Sequence, residues 1–163
     1  MVDCLSGEVG PSPAYTDGMV FCANEYDRVS GLRINAVGTD PAVEIMWQNS
    51  ENLPNTSSPT AKGDYLVMAT SGGMVSMLNT RTGEPYWEKY LGGGFYASPI
   101  IVGEVVYLME LQGRMHIFKL GPNYESLNTC ELGESSSCTP AFLEGRIYIR
   151  GDKHLYCISD DGP

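Results

Sequence analysis

Short runs of β-branched, aromatic and aliphatic residues alternate with small polar turns along the whole chain. Four such runs follow a turn pair: Asp17-Gly18 before Met19-Val20-Phe21, Gly63-Asp64 before Tyr65-Leu66-Val67, Gly103-Glu104 before Val105-Val106-Tyr107, and Gly145-Arg146 before Ile147-Tyr148-Ile149. Residues of these types, bounded by turn residues, predict short strands rather than helices. Each run lies a few residues beyond a small hydroxyl residue followed by proline: Ser12-Pro13, Ser58-Pro59, Ser98-Pro99 and Thr139-Pro140. The prolines are separated by 46, 40 and 41 residues.

Further landmarks keep the same period. Gly73 and Gly113 each lie 14 residues beyond a proline and open a second strand, Met74–Asn79 in one unit and Met115–Leu120 in the next. A bulky residue then stands 28 residues beyond the proline, Trp87 in the second unit and Leu127 in the third. In the first unit Trp47 stands 34 beyond Pro13, which places an insertion of six residues there. Coincident landmarks at one period identify a structural repeat. Each unit reads as four strands joined by three turns. One such antiparallel sheet cannot bury both of its faces, whereas sheets packed side by side around an axis can. The expected fold is therefore all-β, a β-propeller of four-stranded antiparallel blades. About four blades are present, which is half of a seven- or eight-blade ring or a small closed ring.

The chain reads as a single propeller region, 1–163, with blades at approximately 10–50, 51–91, 92–132 and 133–163. Cys4 lies nine residues before Pro13, as Ser50 and Tyr90 lie nine before the next prolines. Residues 1–7 are thus expected to act as an outer strand completing another blade. The last unit has three strands and lacks its outer one. The complementary ends suggest a fragment of a longer propeller or a half that dimerises to complete a ring.

The second unit carries Met77-Leu78-Asn79-Thr80-Arg81-Thr82-Gly83-Glu84-Pro85-Tyr86-Trp87. This resembles the tryptophan-docking motif of the quinoprotein-like (PQQ-type) β-propeller repeat family, A-x-D-x-x-T-G-x-x-x-W. Met77 takes the small-residue place, Asn79 the aspartate place, and Thr82, Gly83 and Trp87 match outright. In the third unit Ile117, Lys119, Asn123 and Leu127 fall at the key places, with Asn tolerating the left-handed turn that Gly favours. The first unit keeps Trp47 without the Thr-Gly. The fourth offers Leu155–Gly162, one residue short. The resemblance covers essentially the whole chain. It implies similarity to non-catalytic outer-membrane-assembly scaffold lipoproteins and bacterial propeller sensors, whose rim loops and strand edges meet a protein or peptide partner. It also implies an extracytoplasmic address, in the periplasm or cell envelope.

The alternative within the same family is a fragment of a PQQ-dependent quinoprotein dehydrogenase. Those enzymes hold a quinone and calcium on the axis, with a disulfide between adjacent cysteines, a stacking tryptophan and a catalytic aspartate. This sequence has no Cys-Cys pair, and docking accounts for both tryptophans. Glu110, Asp152 and Asp160 fall in no motif that assigns a role. His116 and His154 are the only histidines, and neither stands near a nucleophile motif. His116 reads as part of a strand face at a blade surface. No catalytic, cofactor-binding or metal residue is therefore assigned, and no cofactor is expected. Gly92-Gly93-Gly94 lacks the Gly-Lys-Ser/Thr ending of a phosphate loop and reads as a connection between blades. The polar block Asn49–Ser58 reads as a long connection or a rim loop.

Charge narrows the partners. Twenty acidic and ten basic residues give a formal charge of −10, and no basic run offsets it. Nucleic acid and anionic lipid carry the same sign, so neither is an expected partner. No apolar run approaches the roughly 18 residues needed to span a bilayer, and Met1–Ser6 has neither the basic nor the apolar region of a signal peptide. Five cysteines, at 4, 22, 130, 138 and 157, include no CxxC pair, which argues against zinc. Cys22 and Cys157 sit in apolar strand patterns and read as buried thiols. Cys130 and Cys138 form the one sequence-local candidate for a disulfide.

Overall fold

Strand formation follows the repeat. The structure, a computed structural model, describes residues 3–35 and 42–159. The first sheet holds β1 (Ala14–Thr16), β2 (Met19–Ala23), β3 (Val29–Asn35) and β4 (Ala42–Asn49). The second holds β5 (Thr60–Lys62), β6 (Tyr65–Ala69), β7 (Met74–Asn79) and β8 (Pro85–Tyr90). The third holds β9 (Ile100–Val102), β10 (Val105–Met109), β11 (Arg114–Lys119) and β12 (Ser126–Glu131). The fourth holds β13 (Ala141–Leu143), β14 (Arg146–Arg150) and β15 (Leu155–Ser159). Within each sheet the strands are antiparallel and follow chain order. The hairpin between β1 and β2 turns on Asp17 and Gly18, with φ of 47° and 78°. Asp-Gly is the pair that accepts two positive φ angles at a tight hairpin.

The sheets pack face to face in sequence. Phe21, Val29, Trp47, Leu66, Met68 and Leu78 fill the space between the first and second sheets. Val67, Val75, Met77, Phe95, Leu108 and Phe118 fill the space between the second and third. The layer between the third and fourth is thinner, with Ala97, Met109, Met115 and Ile149 buried. The three-residue strands β1, β5 and β9 lie beside one another at the inner edge. Among the described residues a core layer joins the first sheet to the second, the second to the third and the third to the fourth. Among them none joins the fourth to the first, which is an open arc of blades and not the small closed ring.

A one-residue bulge recurs between the third and fourth strands of the first three sheets, after Gly31, Met77 and Ile117. It fixes which residue faces the next blade. Trp47 pairs with Gly31 and Trp87 with Met77, but Ile117 pairs with Asn128. Leu127, expected at the tryptophan place, lies in the bulge beside it. The cause is the preceding turn. Asn79 N bonds Glu84 O in the second sheet, whereas Lys119 N bonds Glu125 O in the third, one residue further on. Residues 3–7 are not in strand conformation, and they lie against the first sheet.

Candidate interaction surfaces

Three repeated devices join the blades and determine which surfaces remain open. The first runs along the inner edge. The amide of Ser12 donates to Ser58 Oγ, that of Ser58 to Ser98 Oγ, and that of Ser98 to Thr139 Oγ1, each at 2.9 Å. The residue before a proline is held extended, which presents its amide to the neighbouring blade.

The second device is the indole dock. Trp47 Nε1 donates to Thr80 O at 2.8 Å, and its ring covers Gly83 of the second blade so closely that a Cβ there would clash. Trp87 Nε1 donates to Gly121 O of the third blade at 3.1 Å, with Phe118 and Tyr124 edge-on to its ring. Each tryptophan thus plugs the outer gap between its own blade and the next. The third blade offers Asn128 and an exposed Leu127 instead. An apolar slot of about 140 Å³ results between the third and fourth sheets, lined by Tyr107, Met115, Ile117, Ile147, Ile149 and Ile158. It neighbours a wider cleft of about 490 Å³ along Val102, Phe142, Leu143 and Arg146.

The third device ties each connection to the turn above it. Glu134, between β12 and β13, accepts from Lys153 N at 2.9 Å and from His154 N at 3.1 Å, and contacts His154 Nδ1 at 3.2 Å. Burial pushes its carboxyl up, but hydrogen bonds from Tyr156, Lys153 and His154 outweigh that and hold it below the usual carboxylate value. The block 49–58 is similarly pinned: Asn49 Nδ2 donates to Gly83 O, and Asn52 Nδ2 to Glu88 Oε1. Gly92, Gly93 and Gly94 all have positive φ, and Gly93 lies directly against the Glu110 carboxylate. The glycine run is therefore a connection packed too closely for a side chain at Gly93 and Gly94, while at Gly92 the space is open and the positive φ alone favours glycine.

Glu110 and His116, read separately from the sequence, meet as a buried pair, with His116 Nε2 2.9 Å from Glu110 Oε2. His116 faces inward, its ring edge-on to Phe95, and not on a blade surface. Arg114 Nη1 approaches the same carboxylate at 3.8 Å. Neither Glu110 nor His116 lines the slot or the cleft. The spacing of six residues across a hairpin turn was the signal available for this pair. His154 is exposed beside Glu134, Asp152 contributes its amide to Ser135 O, and Asp160 lies outside the described residues.

A quinone and calcium site does not fit these residues. Both indoles are committed to docking between blades, and no group of three His, Cys, Asp or Glu among the described residues is placed to hold a metal ion. All five cysteines are free thiols, with Cys130 and Cys138 exposed and unbonded. Cys157 is exposed rather than buried, because the face of β15 that carries it has no neighbouring blade.

That uncovered sheet is the most open apolar surface. Leu155 is 72% exposed, Leu143 61% and Ile158 47%. Among the described residues no strand lies along the outer edge of β15.

The profile of a family described as outer membrane protein assembly factor BamB matches residues 34–120. No curated protein matches the sequence. Among solved structures, BamB from Moraxella catarrhalis is similar with a TM-score of 0.76 at 15% identity, over 93% of this chain and 46% of that one. The chain thus spans about half the length of that protein. The computationally designed Ika4 protein is similar with a TM-score of 0.71 at 8% identity, over 98% of this chain and 95% of that one. A europium-containing methanol dehydrogenase is similar at 0.54 and 13% identity, over 76% of this chain and 26% of that one. Likeness at these identities is likeness of fold.

Proposed function

The chain belongs to the family described as outer membrane protein assembly factor BamB, and from that premise we propose that it is a non-catalytic propeller scaffold that binds an extended segment of a protein partner. The observation that carries the reading is the fourth sheet, which ends on the uncovered edge of β15 with Leu155 and Ile158 exposed. An incoming strand gains main-chain hydrogen bonds along such an edge, and alternate side chains gain apolar contact beside it. Edges of this kind are an aggregation hazard when bare, which favours cover by another strand. The family's name and the envelope role it carries support an extracytoplasmic address. The weaker likeness to the methanol dehydrogenase, and the poor fit of the residues to its class of cofactor, favour the scaffold over a dehydrogenase fragment.

A second copy of the chain is one partner that would suit this edge. The hydroxyl ladder ends on a donor, Thr139 N, at one side of the arc and on an acceptor, Ser12 Oγ, at the other. Two arcs could join head to tail through those groups, with residues 1–7 of each running along β15 of the other.

The test is hydrogen exchange with a set of displayed extended peptides. Binding should slow exchange at β15 amides and should be lost in Cys157→Pro, which removes an N–H of the outer edge and leaves the ladder to β14 in place. Peptides that bind while leaving β15 exchange unchanged would overturn the reading. Light scattering decides the second copy: a mass near twice 17.8 kDa supports ring completion, and a monomer excludes it.

A further inference from the structure

We propose that Cys4 and Cys22 form a reversible disulfide that fastens the segment before the first blade to the face of the first sheet. Cys22 on β2 lies directly across from Ser30 on β3. Ser30 Oγ donates to the carbonyl oxygen of Cys4 at 2.7 Å. The backbone of Cys4 therefore sits over the Cys22–Ser30 pair. Two residues on, Ser6 N donates to Asp27 Oδ2 at 2.8 Å, and Asn24 Nδ2 donates to Ser6 O. These bonds hold the segment in register with the end of the β2–β3 hairpin. Both cysteines of this face are half-buried, whereas the other three cysteines are exposed. A cysteine whose backbone is held over another in this way can be bridged to it with little movement of the chain.

The oxidant is a low-molecular-weight disulfide such as oxidised glutathione. Burial, and then the neighbouring Cys4 sulfur, push the Cys22 thiol up, so Cys4 is the first to attack. Its thiolate bonds one glutathione sulfur, and the first glutathione leaves and takes up the Cys4 proton. Cys22 then attacks the Cys4 sulfur, displacing the second glutathione, which takes up the Cys22 proton. Two protein thiols lose two electrons and two protons, and the glutathione disulfide gains them. The bond holds residues 3–7 on the first sheet, and so withholds them from β15 of a second copy. That consequence rests on the ring-completion reading; the bond itself does not.

The experiment exposes the full chain to oxidised glutathione, blocks remaining thiols with N-ethylmaleimide and digests with trypsin. Cys4 and Cys22 fall in one tryptic peptide, Met1–Arg28, which has no internal Lys or Arg. That peptide is expected to be lighter by two hydrogens, to carry no maleimide, and to take up two after reduction. The wild-type melting temperature should rise on oxidation, because the closed loop restricts the unfolded chain. Cys4→Ser, which alters no strand, should show no rise. A Met1–Arg28 peptide carrying two maleimides or two glutathiones after oxidation would overturn the proposal, as would Cys4 or Cys22 linked to Cys130, Cys138 or Cys157. A linked peptide in a chain that is monomeric whether reduced or oxidised would leave the disulfide standing and remove ring completion alone.

Discussion

The amide of Ser58 donates to the hydroxyl of Ser98 over 2.9 Å, and the same bond links Ser12 to Ser58 and Ser98 to Thr139. Ser12 only donates along this ladder and Thr139 only accepts, whereas each residue between them does both. Residues Ser58 and Ser98 occupy the middle of this ladder, with both roles filled. This gives the small hydroxyl before each proline a physical purpose. The proline holds its neighbour extended, and the side chain is short enough to stay at the inner edge.

Removing one rung should therefore destabilise the arc out of proportion to the atoms lost. Ser98→Ala deletes the acceptor for the Ser58 amide and leaves that partly buried donor without its partner. A loss of about 1–3 kcal/mol is expected, read as a lower denaturant midpoint at unchanged slope. Ser98→Thr, which copies Thr139, should retain most of the stability.

The indole docks should matter more. Trp47 is buried against Gly83 and bonded to Thr80 O. Trp47→Ala is expected to cost about 3–5 kcal/mol. Gly83→Ala tests the other half of the contact. Gly83 has φ of 74°, and a methyl group there would meet the indole ring. Gly83→Ala should abolish the exchange protection of the Trp47 indole N–H while leaving that of Trp87 in place.

The repeat, the antiparallel meanders and the hydroxyl-proline landmarks were legible because each has a short, local cause: a turn residue, an apolar run, a fixed φ. The docking motif was legible where Thr82 and Gly83 stand unchanged, and there Trp47 of the preceding blade packs on the glycine. Counting along the chain failed at Leu127, since a turn longer by one residue moves Asn128 into register and leaves Leu127 in the bulge. The approach of the Cys4 segment to Cys22 depends on which stretch of chain crosses the β2–β3 hairpin, and spacing alone does not carry that. Cys157 was misread for a related reason. An apolar strand pattern reports a face suited to burial, but burial also needs a neighbour, and β15 has none among the described strands.

The uncovered sheet yields a solubility prediction. Leu155 and Leu143 are exposed at 72% and 61%. Leu155→Lys, on the strand with the unpaired edge, should cost little stability, within about 0.5 kcal/mol. It should reduce self-association at high concentration, measured as a smaller rise of apparent mass in sedimentation, because charge on an edge strand opposes pairing. An unchanged mass profile would show that β15 is not the associating edge.

Acid should release the fourth blade before the others, through Glu134. Its carboxylate receives Lys153 N, His154 N and the Tyr156 hydroxyl, and in the folded chain it titrates below its ordinary value of 4.5. A group whose folded value is depressed contributes stability in full above the unfolded value, and that contribution fades as the pH falls through the folded one. Amide exchange in β14 and β15 should thus accelerate as the pH drops below 4.5, after correction for intrinsic rates, while β6 and β7 remain protected. Glu134→Gln removes the ionisable group, so its β14 and β15 should already exchange faster at neutral pH and should lose the acid dependence. If the variant kept the same acid transition as the parent chain, the carboxylate responsible would lie elsewhere, and the Glu134 clasp would be a bystander to the opening of the last blade.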